Sequence, residues 1–191
     1  MWEQLHHRLL AWLGSDGQID WSRAAIDSVS GRAKHGGANR RESGRPGQGW
    51  LQVPPADRRP RDPAGRGLSA ANTHDSHLLE PLVDAVPPVK GPRGRPGRPR
   101  RRPAKLHTDK GYDYPRCRQV LRRRGISPRI ARRGIESSER LGRHRWRVER
   151  SLAWLVDFRY LQVRHGRRAD YLQAFLHLAC ALICARFLQP L

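Results

Sequence analysis

The sequence has few aromatic residues, few cysteines and little negative charge. Aromatic side chains make up 7% of the 191 residues and hydrophobic ones 37%, which is low for a chain long enough to bury a core. We therefore expect one domain in which part of the chain does not pack. The three cysteines, Cys117, Cys180 and Cys184, are too few and too irregularly spaced for a disulfide framework or a CxxC-type zinc site, which favours a reducing compartment.

The sequence also has little that would direct it to a membrane. Its first residues show no charged start followed by an apolar run, so we predict no signal peptide and a cytoplasmic, nucleoid-associated location. The one long apolar segment, Tyr171–Leu188, is interrupted by His177 and Arg186 and is at the short end of the length that spans a bilayer. We predict a buried core helix there and no membrane partner.

Acidic residues are scarce beside a large excess of basic ones. The chain has 38 Lys+Arg against 17 Asp+Glu, which gives a net charge of +21 and a pI of 11.6. Arginine supplies nearly all of the positive charge, and its planar guanidinium matches the oxygens of a phosphate. A polyanionic partner follows, with nucleic acid as the first candidate and an anionic membrane surface as the second.

Hydrophobic periodicity predicts helices separated by short strands. The predicted helices are Trp2–Leu13 with Gly14 as its C-cap, Ser76–Val86 with Pro81 kinking or restarting it, Tyr114–Arg124, Arg140–Phe158 and Ala169–Phe187. The strand-like runs are Ile19–Ser30, Lys105–Asp109 and Ile126–Ile130. Two of these strand-like runs carry an aspartate within them or at their end, Asp27 and Asp109.

Two segments have neither pattern. Residues 31–67 are rich in Gly, Arg and Pro, and we expect an irregular, disordered insert there. Residues 87–103 form an Arg/Pro-rich linker that we expect to stay extended and solvated. Its Arg93-Gly-Arg-Pro96 run resembles the short core that lies in A·T-rich minor grooves, while nonspecific phosphate contact by Arg93 and Arg95 is the simpler alternative.

Three acids stand out by their context. Asp27 and Asp109 belong to strand-like runs, and Glu149 lies in a basic helical segment. Carboxylates that converge from separate elements can hold two hard cations, Mg2+ or Mn2+, for phosphodiester cleavage. Spacing alone does not establish such convergence. Glu149 is equally consistent with a surface ion pair worth about 0.3–0.5 kcal/mol.

Several blocks, in the same order along the chain, resemble bacterial insertion-sequence DDE transposases. The blocks are Ile19 to Lys34, Ser69-Ala-Ala-Asn-Thr-His-Asp-Ser76, His107-Thr-Asp-Lys-Gly-Tyr-Asp113, Gly142-Arg-His-Arg-Trp-Arg-Val-Glu-Arg150 and Arg167-Arg-Ala-Asp170. The resemblance implies a single mixed α/β catalytic domain over residues 1–191, with a ribonuclease-H-like sheet flanked by helices. It also implies two-metal-ion hydrolysis and strand transfer on transposon ends and target DNA, by a homo-oligomer assembled on that DNA.

The resemblance assigns roles position by position. Asp27, Asp109 and Glu149 correspond to the catalytic, metal-binding acids, with two Mg2+ or Mn2+ ions as the implied cofactor. Arg145 matches the basic residue that this family places four positions before the glutamate, although Gly142 replaces an upstream tyrosine. The DNA-binding candidates are Arg93, Arg95, Arg143, Arg145 and Arg150. Asp113 is a candidate for capping a turn or for supporting the acids.

The sequence departs from the family in two places. Relatives carry a further N-terminal helical region, so we expect a chain truncated at its N-terminus. Trp50–Gly67 does not resemble the hydrophobic strand pair expected there. With suitable codons, a one-base shift of frame turns residues 50–65 into Gly-Ser-Lys-Tyr-His-Leu-Leu-Thr-Asp-Ala-His-Gly-Ile-Pro-Leu-Ala, a strand-turn-strand pattern. We therefore predict impaired catalysis, and a non-catalytic Arg-rich nucleic-acid-binding protein as the alternative.

Overall fold

The computed structural model describes residues 1–30, 32–33, 47–53, 62–69, 74–134, 155, 157–164 and 169–188. The helices in these residues are α1 (Trp2–Ser15), α2 (Leu79–Asp84), α3 (Pro115–Arg123), α4 (Arg159–Gln162) and α5 (Ala169–Leu188), with 3-10 turns at Asp75–His77 and Lys110–Tyr112. The strands are β1 (Ala24–Ser30), β2 (Arg32–Ala33), β3 (Gly47–Val53), β4 (Asp62–Ser69), β5 (Lys105–Thr108), β6 (Ser127–Ile130) and β7 (Val163–Arg164).

A five-stranded mixed sheet organises the fold, in the order β4-β3-β1-β5-β6. The hairpin β3–β4 is antiparallel, and β3 also runs antiparallel to β1. On the other side of β1, β5 and β6 are parallel to it and to each other. A separate parallel pair joins β2 to β7. The predicted mixed α/β class is confirmed at this level.

The strands β3 and β4 lie in the segment for which sequence reasoning predicted irregular structure. Trp50 pairs with Asp27 of β1, and Gly49 pairs with Gly67 of β4. The prediction failed here because the ladder is made by backbone groups, whereas the side chains show no alternating apolar pattern. Pro63 is tolerated in β4 because β4 is an edge strand.

The sheet separates two buried clusters of side chains. Ala24 and Ile26 of β1 pack with residues of α2, β5 and α3, while Ala25 packs with residues of α5. Successive residues of a strand point to opposite faces, which accounts for this division. The first cluster includes Leu10, Leu79, Leu82, Leu106, Leu121 and Ile126, and the second includes Leu155, Leu161, Leu172, Leu176, Cys180 and Ile183.

Helix α5 is the predicted core helix. Leu176, Cys180 and Cys184 are fully buried, so the cysteines act as small apolar side chains. By length and composition alone, Asp170–Leu188 could also cross a membrane, and 44% of its apolar window is buried inside the protein. No other helix in the described ranges passes that test.

Two local predictions are corrected. Helix α1 does not end at Gly14 but at Ser15, and the left-handed turn falls at Gly17, which has φ +70°. Gly14 instead allows the backbone at Val89 and Lys90 to approach the helix closely. The 87–103 segment is exposed over residues 90–102, yet it is not a free linker, because backbone hydrogen bonds of 2.9 and 2.8 Å pair Val89 with Arg100.

Two of the remaining helix predictions agree with the described structure. The predicted Ser76–Val86 helix begins as the Asp75–His77 turn and restarts as α2, with Pro81 in its first turn where its missing N–H is tolerated. The predicted Tyr114–Arg124 helix is α3. Of the predicted Arg140–Phe158 helix, only residues 155, 157 and 158 lie within the described part of the chain.

Candidate active site

The register between β1 and β5 brings two of the three predicted acids to one level of the sheet. Ala25 pairs with His107 in parallel strands. Asp27 lies two residues after Ala25 and is still within β1. Asp109 lies two residues after His107 and is the first residue after β5. Each aspartate therefore follows the last pair of this ladder by two residues, toward the carboxyl end of β5.

Asp109 is exposed at the start of a tight turn. Its Oδ1 accepts a hydrogen bond of 3.0 Å from the backbone N–H of Gly111, so the carboxylate caps the Lys110–Tyr112 turn. A Cβ on residue 111 would lie 3.1 Å from that oxygen, which explains the glycine there. Within the described residues Oδ2 has no hydrogen-bond partner, and it remains available to a hard cation.

Most of the other predicted site residues lie outside the described part of the chain. Only the backbone of Asp27 is described, and Glu149, Arg143, Arg145 and Arg150 lie outside the described residues. Leu155, six residues after Glu149, is buried in the same cluster as Ala25. Leu155 therefore packs on the Ala25 face of the sheet. The described residues contain no group of three potential metal ligands.

Asp113 joins the two loops that border this edge of the sheet. Its carboxylate accepts hydrogen bonds from the backbone N–H of Arg133 (2.9 Å), in the loop after β6, and from the guanidinium of Arg118 (2.6 Å). These two partners, Arg133 first, hold the pKa of Asp113 below its ordinary value of 3.8. Arg118 also donates to the carbonyl oxygen of Ile130 at the end of β6. The turn carrying Asp109 is thus fastened to the neighbouring strand.

A second contact network lies beside this turn. His74 Nδ1 is 2.8 Å from the hydroxyl of Ser76, and its ring meets the ring of Tyr114 edge-on at 5.4 Å. Arg116 donates to the hydroxyl of Ser76 and lies 3.0 Å from Nδ1 of His77. Sequence reasoning missed the contacts of His74, Ser76 and His77 with Tyr114 and Arg116 because these residues are 39 or 40 positions apart and share no local pattern.

Arg124 has a structural role away from the candidate active site. Arg124, at the end of α3, bonds Asp84 at 2.6 Å and Glu80 at 2.7 Å, and so ties α3 to α2. Its hydrogen bond lowers the pKa of Asp84, and the two carboxylates raise the pKa of Arg124. Both acids are about half exposed, so this contact stabilises the helix pair only modestly.

Comparison with known proteins identifies the family of this chain. The profile of the transposase DDE domain matches residues 61–184, a stretch that contains Asp109 and Glu149. The chain belongs to the DDE transposase family. It is 44% identical, over 162 residues, to a Burkholderia cepacia protein named as the candidate transposase for insertion sequence element IS402. That match covers 85% of this chain and 74% of the relative.

Proposed function

We propose that this protein is the transposase of an insertion sequence, with Asp27, Asp109 and Glu149 as the acids that hold two Mg2+ or Mn2+ ions. The observation that supports the proposal is the β1–β5 register, which pairs Ala25 with His107, each two residues before one of the aspartates. The donors fit hard cations, since all three are carboxylates and Asp109 is exposed with Oδ2 available. When bound, such ions would activate water and stabilise the leaving oxygen of a phosphodiester.

The strand order supports the proposal of a ribonuclease-H-like fold. Three antiparallel strands are followed by two parallel ones, with β1 central and helices on both faces. Glu149 would reach the same edge from a helix on the Ala25 face. On the predicted Arg140–Phe158 helix, with a rise of about 1.5 Å per residue, Glu149 would precede the buried Leu155 by six residues, or roughly 9 Å.

The exposed loop 90–102 is the proposed contact with DNA at a distance from the phosphodiester that is cleaved. It carries Arg93 and Arg95 and no acid, and it leads into the first residue of β5, whereas Asp109 follows the last. Four strand residues span about 13 Å, so this loop would touch DNA at a distance from the reacting phosphate. Arg143, Arg145 and Arg150 would contact DNA nearer to Glu149.

Local geometry favours phosphate contact over minor-groove insertion for this loop. The N–H of Arg95 donates to the carbonyl oxygen of Pro92, Gly94 has φ +79°, and the N–H of Arg93 is held by the carbonyl oxygen of Ser15. This is a tight turn of type II character, not the extended backbone that fits a minor groove. The two arginines would therefore bind phosphates without reading sequence.

We also propose that this copy is a weak catalyst. The β3–β4 hairpin, whose β3 pairs with β1, shows no alternating apolar pattern, with glycine opposite glycine at positions 49 and 67 and a register irregularity between Leu51 and Gln52. Glycine weakens a strand, and cation-binding carboxylates need placement to within about 0.5 Å.

On DNA we expect a homo-oligomer, and in the cell a cytoplasmic, nucleoid-associated location.

Metal-dependent stabilisation tests the proposal against a purely DNA-binding protein, which the net charge of +21 would also suit. Mn2+ should raise the melting temperature of the wild-type chain, and Asp109→Asn should abolish the rise. Asp16→Asn, at an exposed acid after α1, is the matched control and should keep it. A melting temperature indifferent to Mn2+ in all three proteins, with salt-dependent DNA affinity intact, would favour the non-catalytic alternative.

Nicking and strand-transfer assays with Mg2+ test the catalytic step. We expect low activity that Glu149→Gln abolishes. Robust activity would contradict the proposed impairment while supporting the assignment of the acids.

A further inference from the structure

Two arginine side chains lie against one aromatic ring beside the candidate active site. The guanidinium carbon of Arg133 is 5.0 Å from the centre of the Tyr114 ring, and that of Arg116 is 5.6 Å from it. Arg133 comes from the loop after β6 and Arg116 from the first turn of α3. The Tyr114 ring thus contacts two positively charged side chains that are 17 residues apart in sequence.

Uncharged groups hold both guanidinium groups in place. Arg133 donates to the carbonyl oxygen of Lys110 (3.0 Å) and to the hydroxyl of Tyr114 (3.3 Å). Arg116 donates to the hydroxyl of Ser76 and contacts His77. Neither guanidinium forms an ion pair with any acid in the described ranges, in contrast to Arg118 and Arg124. Within the described residues, neither guanidinium is therefore paired directly with a carboxylate, although the charge of Arg133 contributes to lowering the pKa of Asp113.

Arg133 is bonded to the turn that carries the candidate metal-binding residue Asp109. Lys110, which holds Arg133, is the residue directly after Asp109, and the backbone N–H of Arg133 is bound by Asp113 of the same turn. Both arginines are exposed, so their free N–H groups can reach a ligand. Fixed guanidinium groups lose little conformational freedom on binding, and their planar shape matches phosphate oxygens.

We infer that Arg116 and Arg133 together bind one backbone phosphate of the DNA strand that passes Asp109, an inference that rests on the proposed function. The Tyr114 ring spaces the two guanidinium groups, and the hydrogen bonds to Ser76 and Lys110 aim them. The pair acts as a positioning site, because it holds the strand beside the acids without touching the reacting phosphate.

The salt dependence of DNA affinity tests this site without requiring cleavage. The full chain is titrated with a random-sequence DNA duplex over a range of salt concentrations. We expect Arg116→Ala and Arg133→Ala each to weaken binding roughly tenfold and to reduce the slope of log K against log salt by about one. Because both arginines bind one phosphate, the double variant should lose no more slope than either single variant.

Arg122→Ala is the matched control, since Arg122 is exposed on the same helix and has no ion pair in the described structure. It should leave the slope near that of the wild type. Arg116→Lys keeps the charge but not the fork, and it should keep the slope while binding more weakly, which also covers the case in which Arg116→Ala does not fold.

The outcomes separate the two ideas. If the wild type binds DNA in a salt-dependent manner and folded Arg116→Ala and Arg133→Ala behave like Arg122→Ala, the phosphate site is wrong and the proposed function stands. If the wild-type chain shows no salt-dependent DNA binding, the proposed function fails and the phosphate site fails with it.

Discussion

The backbone N–H of Arg133 donates a 2.9 Å hydrogen bond to the carboxylate of Asp113, and this bond joins the loop after β5 to the loop after β6. Asp109 stands at the start of the first loop, and the Arg133 guanidinium bonds back to the carbonyl oxygen of Lys110. The turn that presents the candidate metal-binding acid is thus held by Asp113 and Arg133, which lie outside the proposed triad of acids.

Replacement of Asp113 tests this fastening through pH. The pKa of Asp113 is held below 3.8 in the folded protein, chiefly by the Arg133 N–H and then by Arg118. A lowered folded pKa means that its contribution to stability is complete above the unfolded pKa and is lost as pH falls through the folded value. Asp113→Asn should therefore melt at a lower temperature than wild type near neutral pH, and the difference should shrink in acid. A constant difference would contradict this.

Arg124 offers a test of the contact between α2 and α3. Arg124→Met removes bonds to Asp84 and Glu80, and we expect a loss of about 1 kcal/mol in the free energy of unfolding, smaller in high salt. Arg122→Met on the same helix is the control and should be nearly neutral. Urea unfolding at two salt concentrations measures both. Equal effects of the two substitutions would show that the ion pairs do not matter.

Gly14 tests the close approach between α1 and the backbone at Val89 and Lys90. A Cβ there would lie 2.5 Å from the carbonyl oxygen of Lys90 and closer still to a methyl group of Val89. Gly14→Ala should therefore destabilise by about 1–3 kcal/mol, although alanine favours helices by about 1 kcal/mol. Gly91→Ala meets no atom within 4 Å and should be close to neutral. A stabilised Gly14→Ala protein in thermal unfolding would refute the close packing.

Thr108, directly before Asp109, has a buried hydroxyl without a partner in the described structure. Thr108→Val keeps the shape and removes the unpaired group, so we expect an unchanged or higher free energy of unfolding, by up to about 1 kcal/mol. Thr108→Ser keeps the hydroxyl and loses a methyl group, and it should be less stable than wild type. Chemical denaturation ranks the three. A destabilised valine variant would mean that the hydroxyl has a partner.

Restoring the expected strand pair tests the proposed impairment. Replacement of residues 50–65 by the shifted-frame sequence adds apolar alternation to β3 and β4 next to Asp27. We expect a higher melting temperature and greater Mg2+-dependent nicking than in the wild-type chain, because the sheet would hold Asp27 more firmly. A replaced protein that is more stable yet no more active would separate the stability of the sheet from catalysis.

Local sequence determined the helices, the core strands and the chemistry available to the site. Apolar spacing predicted α3 and α5, and the aspartates fell on or after strands as expected. These features depend on neighbouring residues, and so they are readable along the chain. The arginine excess likewise indicated a polyanionic partner, since net charge is a property of composition alone.

Only the tertiary structure decided which of these residues meet. Strand register paired Ala25 with His107, each two residues before one of the aspartates. Backbone hydrogen bonds, which carry no sequence signature, built β3 and β4 from residues without strand periodicity. Arg116, Arg133 and Tyr114 came together through loops that end neighbouring parallel strands. Such contacts arise from chain topology, which no local pattern of residues records.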